Sequence, residues 1–200
     1  MPRAAIATSC LVIALLAPVW GAEGLQFSNG GFEVPPAGVG SAPEGWHVYE
    51  HSLPRGTGVE ADCLRTHEGT WAMRIADTAP DLSCGLESAL YPVVPGETYS
   101  ASAWVYNGAG DGWLYLEFYA IAKQRASETH AVCGKTGSWE RIELSAVCPP
   151  DARYAAILLY SSVGNTGVSA WDDVALTGPA GEGQVISLGD TRGKAVDYSY

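Results

Sequence analysis

The amino-acid sequence predicts an all-β fold, a jelly-roll β-sandwich of two antiparallel sheets. Short runs rich in Val, Ile, Tyr and Trp alternate with clusters of Gly, Pro, Asn and Asp, as is typical of antiparallel sandwiches and barrels. Helical periodicity is nearly absent: residues 117–131 alone could form a helix, and the stretch Phe118 to Ile121 fits a strand equally well. The number of short predicted strands in one domain favours a jelly roll.

The predicted strands follow one another along the chain with turn-forming residues between them. Each is placed on a run rich in β-branched or aromatic residues, which favour strands, while the intervening stretches favour turns. In order, they cover residues 32–34, 46–50, 59–64, 71–76, 86–92, 98–106, 113–120, 139–146, 154–160 and 170–176.

Side-chain alternation assigns two faces to strands 98–106 and 113–120. The apolar sets that suit the interior are Tyr99, Ala101, Ala103 and Val105, and Leu114, Leu116, Phe118 and Ala120. The opposite faces carry aromatic rings and one acid, and on neighbouring strands they would form one patch. The predicted ligand-binding residues are Trp104, Tyr106, Trp113, Tyr115, Glu117 and Tyr119. The alternative is that some of these rings pack under loops or against the C-terminal tail.

The first 21 residues have the pattern of a secretory signal. Arg3 provides a short positive region, residues 10–17 form an apolar run too short to span a bilayer, and Val19 and Gly21 fit the small-residue cleavage rule. We therefore expect a secreted or periplasmic protein, with a folded domain over residues 22–178. Residues 179–200 are predicted to be a Gly/Pro linker and a short tail. No later apolar run is long enough to predict a membrane span.

The charge balance is strongly acidic, with 22 Asp and Glu against 11 Lys and Arg, a formal net charge of −11. Proteins bind polyanions through clustered Lys and Arg, so nucleic acid and anionic polysaccharide are poor partners. A neutral ligand or a divalent cation fits this composition better. We expect the chain to be a monomer.

Four of the five cysteines lie beyond the predicted signal. An even number in an exported chain predicts two disulfides, and none of the spacings matches a zinc-binding pattern. Three pairings are possible, and proximity in sequence favours Cys63 with Cys84 and Cys133 with Cys148.

An acidic residue in the last predicted strand needs a partner. Strict alternation places Asp172 on the same face as Val174 and Leu176, and a carboxylate that faces a core must be paired with a cation or a metal, or have a shifted pKa. If the first and last strands are neighbours, Glu33 and Asp172 could share a Ca²⁺ ion, which prefers oxygen ligands. The alternative is that Asp172 pairs with an arginine or caps a turn.

A series of short motifs resembles carbohydrate-binding modules of families 4, 9, 16 and 22, which are galactose-binding-domain-like jelly rolls. The resemblance covers residues 30–176, in the order found in those families. Its motifs are Asn29-Gly30-Gly31-Phe32-Glu33, Gly45-Trp46, Glu68-Gly69, Pro95-Gly96-Glu97-Thr98-Tyr99, Ala103-Trp104-Val105, Trp139 and Asp172-Asp173-Val174.

The resemblance implies non-catalytic binding of a neutral polysaccharide or oligosaccharide, and a structural Ca²⁺ at one rim of the sandwich. The implied metal ligands are the carboxylates of Glu33, Glu68 and Asp172 and the carbonyls of Gly31 and Trp71. The sequence departs from these families before the Pro-Gly motif, where their ligand-binding rings often lie. There it has Ser83-Cys84-Gly85-Leu86, without an aromatic residue.

Two other function classes fit a sandwich of this composition. An extracellular protein-interaction or adhesion module would use the same acidic, aromatic face for a protein partner. A polysaccharide lyase or glycosidase would need an acid and a base, for which Glu117 and Asp173 are a conceivable pair. Histidines that could contribute are His47, His51, His67 and His130. No nucleophile motif or metal-binding histidine pair is present, so we expect the protein not to be an enzyme.

Overall fold

The computed structural model describes residues 24–37, 41–49, 58–121 and 124–188, and the regular structure in these ranges is entirely β. None of the described residues forms a helix that is long and apolar enough to cross a membrane. The strands are β1 (Trp46–Val48), β2 (Gly58–Asp62), β3 (Ala72–Asp77), β4 (Cys84–Ser88), β5 (Tyr91–Pro92), β6 (Thr98–Ala109), β7 (Gly112–Tyr119), β8 (Arg125–Cys133), β9 (Trp139–Val147), β10 (Tyr154–Ser161) and β11 (Gly167–Thr177).

The strands form two antiparallel sheets, as predicted for a jelly-roll sandwich. The first sheet has the order β1-β4-β10-β7-β8, and β5 also pairs with β10. The second sheet has the order β2-β3-β11-β6-β9. Some consecutive strands, such as β6 and β7, therefore lie in different sheets, and most neighbours within a sheet are distant in sequence.

Three predicted elements differ from the observed ones. Residues 32–34 are not a strand: Phe32 has φ 55° in a turn and is fully buried. The predicted strand 86–92 is two strands, β4 and β5. The possible helix over 117–131 is not formed. This range instead contains the end of β7 and most of β8. Strand β8 pairs only with β7 and is rich in polar residues, because it lies at the edge of its sheet.

The predicted core faces of β6 and β7 are confirmed. Alternate residues of both strands point between the sheets and have at most 1% exposure: Tyr99, Ala101, Ala103 and Val105 on β6, and Leu114, Leu116 and Phe118 on β7. Ala120 is the exception, since it lies beyond the end of β7 and is only half-buried. Alternation therefore identified the core side of each strand correctly.

The face predicted for Asp172 is wrong because β11 contains a bulge. The register with β6 shifts between Asp172 and Ala175, and Asp173 has φ 46°. An extra residue reverses the alternation of the residues that follow it. Trp171 and Val174 thus both face the core, and Asp172 points to the outer side of the second sheet, where it pairs with Trp104.

The described part of the predicted tail packs against the sandwich. Leu90 and Ile186 exchange two backbone hydrogen bonds of 2.9 Å. Ile186 and Leu188 then pack against Leu90, Tyr119 and Ala156. Because Ala156 pairs with Glu117, this contact covers one end of the outer face of the first sheet. The predicted signal, residues 1–21, lies outside the described residues.

The four cysteines at positions 63, 84, 133 and 148 are free, so the favoured disulfide pairings are not formed. Cys63 follows β2 at Asp62, whereas the Cys84 thiol lies 3.7 Å from the carbonyl oxygen of Ala76, which pairs with the opposite end of β2. The strand therefore separates the first pair by about 14 Å.

The second pair of cysteines lies at opposite ends of the sandwich. Asn107 donates a hydrogen bond to the carbonyl oxygen of Cys133 near the end of β6. The backbone N–H of Cys148 donates to Glu97 O, just before the start of β6. Proximity in sequence was misleading because the intervening β9 carries the chain along the whole length of the sheet, about 27 Å.

Candidate functional site

The six predicted ligand-binding residues do not form one patch. Trp104 and Tyr106 lie on β6, in the second sheet, and the other four lie on β7, in the first sheet. All six point away from the core, so the two groups occupy opposite outer faces of the sandwich. The prediction assumed that β6 and β7 are neighbours in one sheet, whereas the chain crosses between the sheets at Gly110 and Asp111.

On the outer face of the first sheet, five rings form what we call the ring cluster: Tyr49, Trp113, Tyr115, His130 and Tyr160. The Trp113 and Tyr115 rings are nearly parallel, with centroids 6.2 Å apart and planes 17° apart. His130 contacts both, at 5.1 and 5.0 Å. Tyr160 meets the edges of Tyr115 at 5.8 Å and Tyr49 at 5.5 Å. The cluster is a continuous aromatic surface formed by three strands, β7, β8 and β10, and the residue after β1.

Sheet register brings these rings together. Tyr160 of β10 pairs with Trp113, and Tyr115 pairs with His130 of β8. Gly85 of β4 pairs with Tyr160, and a Cβ atom there would lie 2.5 Å from the Leu159 carbonyl oxygen and 3.1 Å from the Tyr160 ring. The absence of a side chain at Gly85 thus leaves room for the Tyr160 ring. Gly85 belongs to the segment in which the sequence differs from the carbohydrate-binding modules that it resembles.

The cluster is half-open to solvent. Trp113, Tyr115, Tyr49 and Tyr160 are partly buried, and His130 is exposed. Burial, with a smaller effect from the charge of Glu128, raises the pKa of Tyr115 to about 12, so its hydroxyl stays neutral at physiological pH. The rings therefore offer a neutral, largely apolar surface with hydroxyl and imidazole groups at its edges.

The other two predicted residues of β7 are buried in a polar network. The Tyr119 hydroxyl lies 2.7 Å from Glu117 Oε2 and 2.8 Å from Glu87 Oε1. Glu117 also accepts a 2.7 Å hydrogen bond from Arg125, and His47 Nε2 lies 2.9 Å from Glu87 Oε2. Glu117 is 1% exposed and Tyr119 is 4% exposed, so neither offers surface to a ligand.

Burial in the network shifts the pKa of Glu117 and of Tyr119. Burial, and then the nearby charge of Glu87, raise the pKa of Glu117 to about 7, although bonds from Tyr119 and Arg125 favour the ionised form. Burial also raises the pKa of Tyr119 far above its ordinary range. Arg125 additionally binds Glu128 at 2.5 Å, and this ion pair joins the network to the exposed edge strand β8.

On the opposite outer face, Trp104 and Tyr106 are covered on one side by the loop after β2. The His67 ring stacks on Trp104 with centroids 3.9 Å apart and planes 15° apart. The Arg65 guanidinium lies 4.1 Å from the centroid of Tyr106. Trp139 of β9 contacts Tyr106 at 5.9 Å and His67 at 5.6 Å. Side chains of the protein itself thus use the ring faces on which a sugar would stack.

Asp172 obtains its partners from backbone amides. The N–H groups of His67 and Glu68 donate to Asp172 Oδ2 at 2.9 and 3.3 Å, and that of Asp173 donates to Oδ1 at 2.8 Å. Burial is the largest influence on this carboxyl and raises its pKa to about 6, while the amide bonds oppose that rise. The expected partner of Asp172 is therefore present, and it is the set of loop amides that turn capping implies, not an arginine.

The predicted metal ligands lie along one loop. Glu33 Oε1 accepts hydrogen bonds of 2.9 and 3.1 Å from the N–H groups of Thr70 and Trp71. Glu33 and Asp172 therefore bind the two ends of the segment 67–71, and Glu68 lies between them with an exposed side chain. Gly69 has φ 64°, and a Cβ atom there would lie 2.2 Å from Glu33 Oε1, so the loop needs glycine to accept this carboxylate.

This donor set fits a hard cation. The predicted carboxylates and the carbonyls of Gly31 and Trp71 supply only oxygen, the element that Ca²⁺ selects. Among the described residues, the acids and histidines whose ligand atoms lie within 4.8 Å of one another are His67, Glu68 and Asp173, so Glu68 is the one predicted ligand in this group. His67 Nδ1 is 2.6 Å from Asp173 Oδ2. Asp173 was not among the predicted ligands, because its position depends on the bulge in β11.

The acid pair considered for a glycosidase does not face a common site. Glu117 lies on the outer face of the first sheet, and Asp173 lies in the bulge of the second. The described histidines are also dispersed: His47 contacts Glu87, His67 stacks on Trp104, and His130 joins the ring cluster. His51 lies outside the described residues.

No protein-family profile and no curated protein sequence matches the chain. Solved structures do match. Tailspike protein 4 of bacteriophage CBA120 has a TM-score of 0.62 and 14% identity over 76% of this chain, which spans only 21% of the tailspike domain. A cyclase from Fischerella sp. TAU has a TM-score of 0.59 and 15% identity, covering 80% of this chain and 98% of the cyclase.

Carbohydrate-binding modules are also similar in structure. A family 61 module, solved with β-1,4-galactotriose, has a TM-score of 0.50 and 18% identity, covering 76% of this chain and 97% of the module. Family 22 modules match as well. These similarities define the fold: the chain is a galactose-binding-like jelly roll, the architecture of carbohydrate-binding modules. The expected fold is thereby confirmed, and enzymes share it.

Proposed function

We propose that this protein is a non-catalytic module that binds a neutral polysaccharide or oligosaccharide on the outer face of the first sheet. The observation that carries the proposal is the ring cluster around Trp113 and Tyr115. Pyranose rings present flat C–H faces that stack on aromatic side chains, and their hydroxyls bond to polar groups at the edges. Five rings in contact on one sheet face supply both kinds of group.

Charge supports a neutral ligand. The chain has a net charge of −11, and the described residues around the ring cluster include the acids Glu87, Glu117 and Glu128 against Arg125. An anionic sugar would be repelled by this face. The opposite face is the weaker candidate, because His67 and Arg65 already cover Trp104 and Tyr106.

We further propose a structural Ca²⁺ at the loop 67–71. Glu33, Glu68 and Asp172 would hold it through carboxylate oxygens, with the carbonyls of Gly31 and Trp71. When bound, the ion would neutralise carboxylates that lie along this loop. The residues themselves already fix the loop by accepting amide hydrogen bonds at Glu33 and Asp172. Such a site would stabilise the rim rather than contact the glycan.

The proposal includes an exported, monomeric protein. The signal-like pattern of residues 1–21 supports secretion or a periplasmic location. A polar edge strand with charged side chains, such as β8, is typical of sheets that avoid pairing with a second copy. Fractionation of cells that express the full chain, and sedimentation of the purified domain, test these two points.

The test of function is a set of thermal melts in EDTA, in calcium, and in calcium with xylan, β-glucan, mannan or β-1,4-galactotriose. A compound that binds only the native state raises the melting temperature by mass action. A rise with calcium and a further rise with one glycan support both proposals. A rise with calcium and none with any glycan removes the glycan proposal and favours a protein partner for the same acidic, aromatic face.

A further inference from the structure

The buried network beside the ring cluster contains one hydrogen-bond contact more than the Tyr119 proton can satisfy if Glu87 and Glu117 are both ionised. The Tyr119 hydroxyl is within 2.8 Å of a carboxylate oxygen of Glu87 and of one of Glu117. A phenol has one proton and can donate to only one acceptor. The second contact therefore needs a protonated carboxyl that donates to the phenol oxygen. The geometry requires one additional proton among the three residues.

The surroundings favour keeping that proton. Glu87 and Glu117 are each 1% exposed, and two ionised carboxylates joined through one hydroxyl repel each other strongly where water is excluded. Arg125 neutralises only one charge and is shared with Glu128. The apolar residues Ala156, Ile186 and Leu188 cover the Tyr119 end. The charged and titratable groups that face the network from the described strands are His47, Tyr115, Arg125, Glu128 and Tyr154.

The network is connected to the ring cluster in two ways: strand β7 carries residues of both, and charged groups of the network act on the Tyr115 hydroxyl. Trp113, Tyr115, Glu117 and Tyr119 alternate on the same face of β7, so Glu117 is the next outward residue after Tyr115. The charges of Glu128, Glu117 and Arg125 all act on the Tyr115 hydroxyl. The carboxyls are too buried to touch a bound sugar, so any influence on binding is exerted through the position of β7 and its rings.

We propose that Glu87, Tyr119 and Glu117 form a proton-sharing triad that positions the ring cluster, so that glycan binding is strong while the shared proton is retained and weakens when it is lost. This inference rests on the proposed glycan-binding function. Glu117 is a positioning residue in this account. Loss of the proton leaves two buried negative charges side by side, and separating them moves β7 relative to β4 and β10.

The test measures affinity for soluble xylan and β-1,4-galactotriose at pH 6 and pH 8. If only the protonated triad is competent, a midpoint near pH 7 makes binding by the wild type about tenfold weaker at pH 8 than at pH 6. Glu117→Gln keeps a permanent N–H donor next to Tyr119, so its affinity should equal that of the wild type at pH 6 and stay constant to pH 8. Glu143→Gln is the control: it removes an exposed acid that pairs with Arg141 on the second sheet, away from the triad, and should keep the wild-type pH dependence.

Equal wild-type affinity at both pH values overturns the proposal. A pH dependence that persists in Glu117→Gln also overturns it, because a group outside the triad would then control binding. If neither glycan binds at any pH, the proposed function fails. The pH dependence of the melting temperature then tests whether the triad holds a shared proton. A melting temperature that falls between pH 6 and 8 in the wild type and not in Glu117→Gln supports the shared proton, and parallel curves refute it.

Discussion

The Trp113 and Tyr115 rings stand two residues apart on β7, with centroids 6.2 Å apart and planes within 17° of parallel. They form the centre of the aromatic surface on the first sheet, which His130 and Tyr160 extend on the neighbouring strands. The core lies on the other side of this strand, so these rings are not needed to fill it. A role in binding explains their presence better than a role in stability.

Trp113→Ala should therefore weaken glycan binding with little change in melting temperature. Removing a central aromatic contact from an interface commonly costs about 2 kcal/mol, or about thirtyfold in Kd. Calorimetric titration with the glycan that stabilises the wild type measures this. A large drop in melting temperature would instead make Trp113 a structural residue.

Trp104→Ala should have the opposite effect. His67 stacks on this ring at 3.9 Å, and the stack holds the loop after β2 against the second sheet. Loss of these contacts should lower the free energy of unfolding by about 2 kcal/mol. Denaturant titration measures the change, and glycan affinity should be that of the wild type. Lost affinity with unchanged stability would move the binding site to this face.

Asp172→Asn should remove the stabilisation that calcium gives. The amide keeps the size of the side chain but lacks the charge that a hard cation needs. Melting temperatures in EDTA and in calcium should differ for the wild type and coincide for the variant. Glu143→Gln, which alters an exposed acid paired with Arg141 on the same sheet, is the control and should respond as the wild type does. An equal calcium response in Asp172→Asn contradicts the metal assignment.

The pH dependence of stability in EDTA should also depend on Asp172. Burial raises its pKa from 3.8 to about 6, so the folded state holds the proton more tightly than the unfolded chain. The resulting stabilisation is complete below about pH 4 and is lost as the pH rises through about 6. The melting temperature should thus fall more between pH 4 and 7 in the wild type than in Asp172→Asn. Parallel profiles would show that Asp172 titrates normally.

Gly69→Ala should destabilise the loop 67–71. The residue has φ 64°, and its Cβ atom would displace the Glu33 carboxylate from the amides of Thr70 and Trp71. We expect a loss of about 2 kcal/mol, from backbone strain and broken hydrogen bonds together. Gly96→Ala is the control for strain alone, because Gly96 has φ 84° and no atom within 4 Å of its Cβ position. Equal losses in the two variants would mean that the Glu33 contact contributes nothing.

The alternation of apolar and polar residues correctly predicted features that depend only on the local geometry of a strand. The core faces of β6 and β7 followed from alternation, since the side-chain period of a strand is fixed. The order of strands in each sheet is not local, and this is why Trp104 and Trp113 were expected side by side. Tyr160 was missed for the same reason, because only the pairing of β10 with β7 brings it next to Trp113.

The bulge in β11 shows a second limit. Nothing in the run Ser169 to Leu176 except its two adjacent aspartates signals that one residue adopts φ 46°. Asp tolerates this conformation better than most residues, but the pattern is too common to predict a bulge. Without the bulge, Asp172 was predicted to face the core. In the structure it accepts hydrogen bonds from the amides of an outer loop.

The most direct test of the account is an NMR titration of the ¹⁵N-labelled domain with soluble glycans, following the indole N–H signals of its tryptophans. We expect a glycan that raises the melting temperature to shift the Trp113 signal in a saturable way and to leave those of Trp104 and Trp139 unchanged. Shifts at Trp104 and Trp139 without one at Trp113, or no shift with any glycan, would contradict glycan binding at the ring cluster.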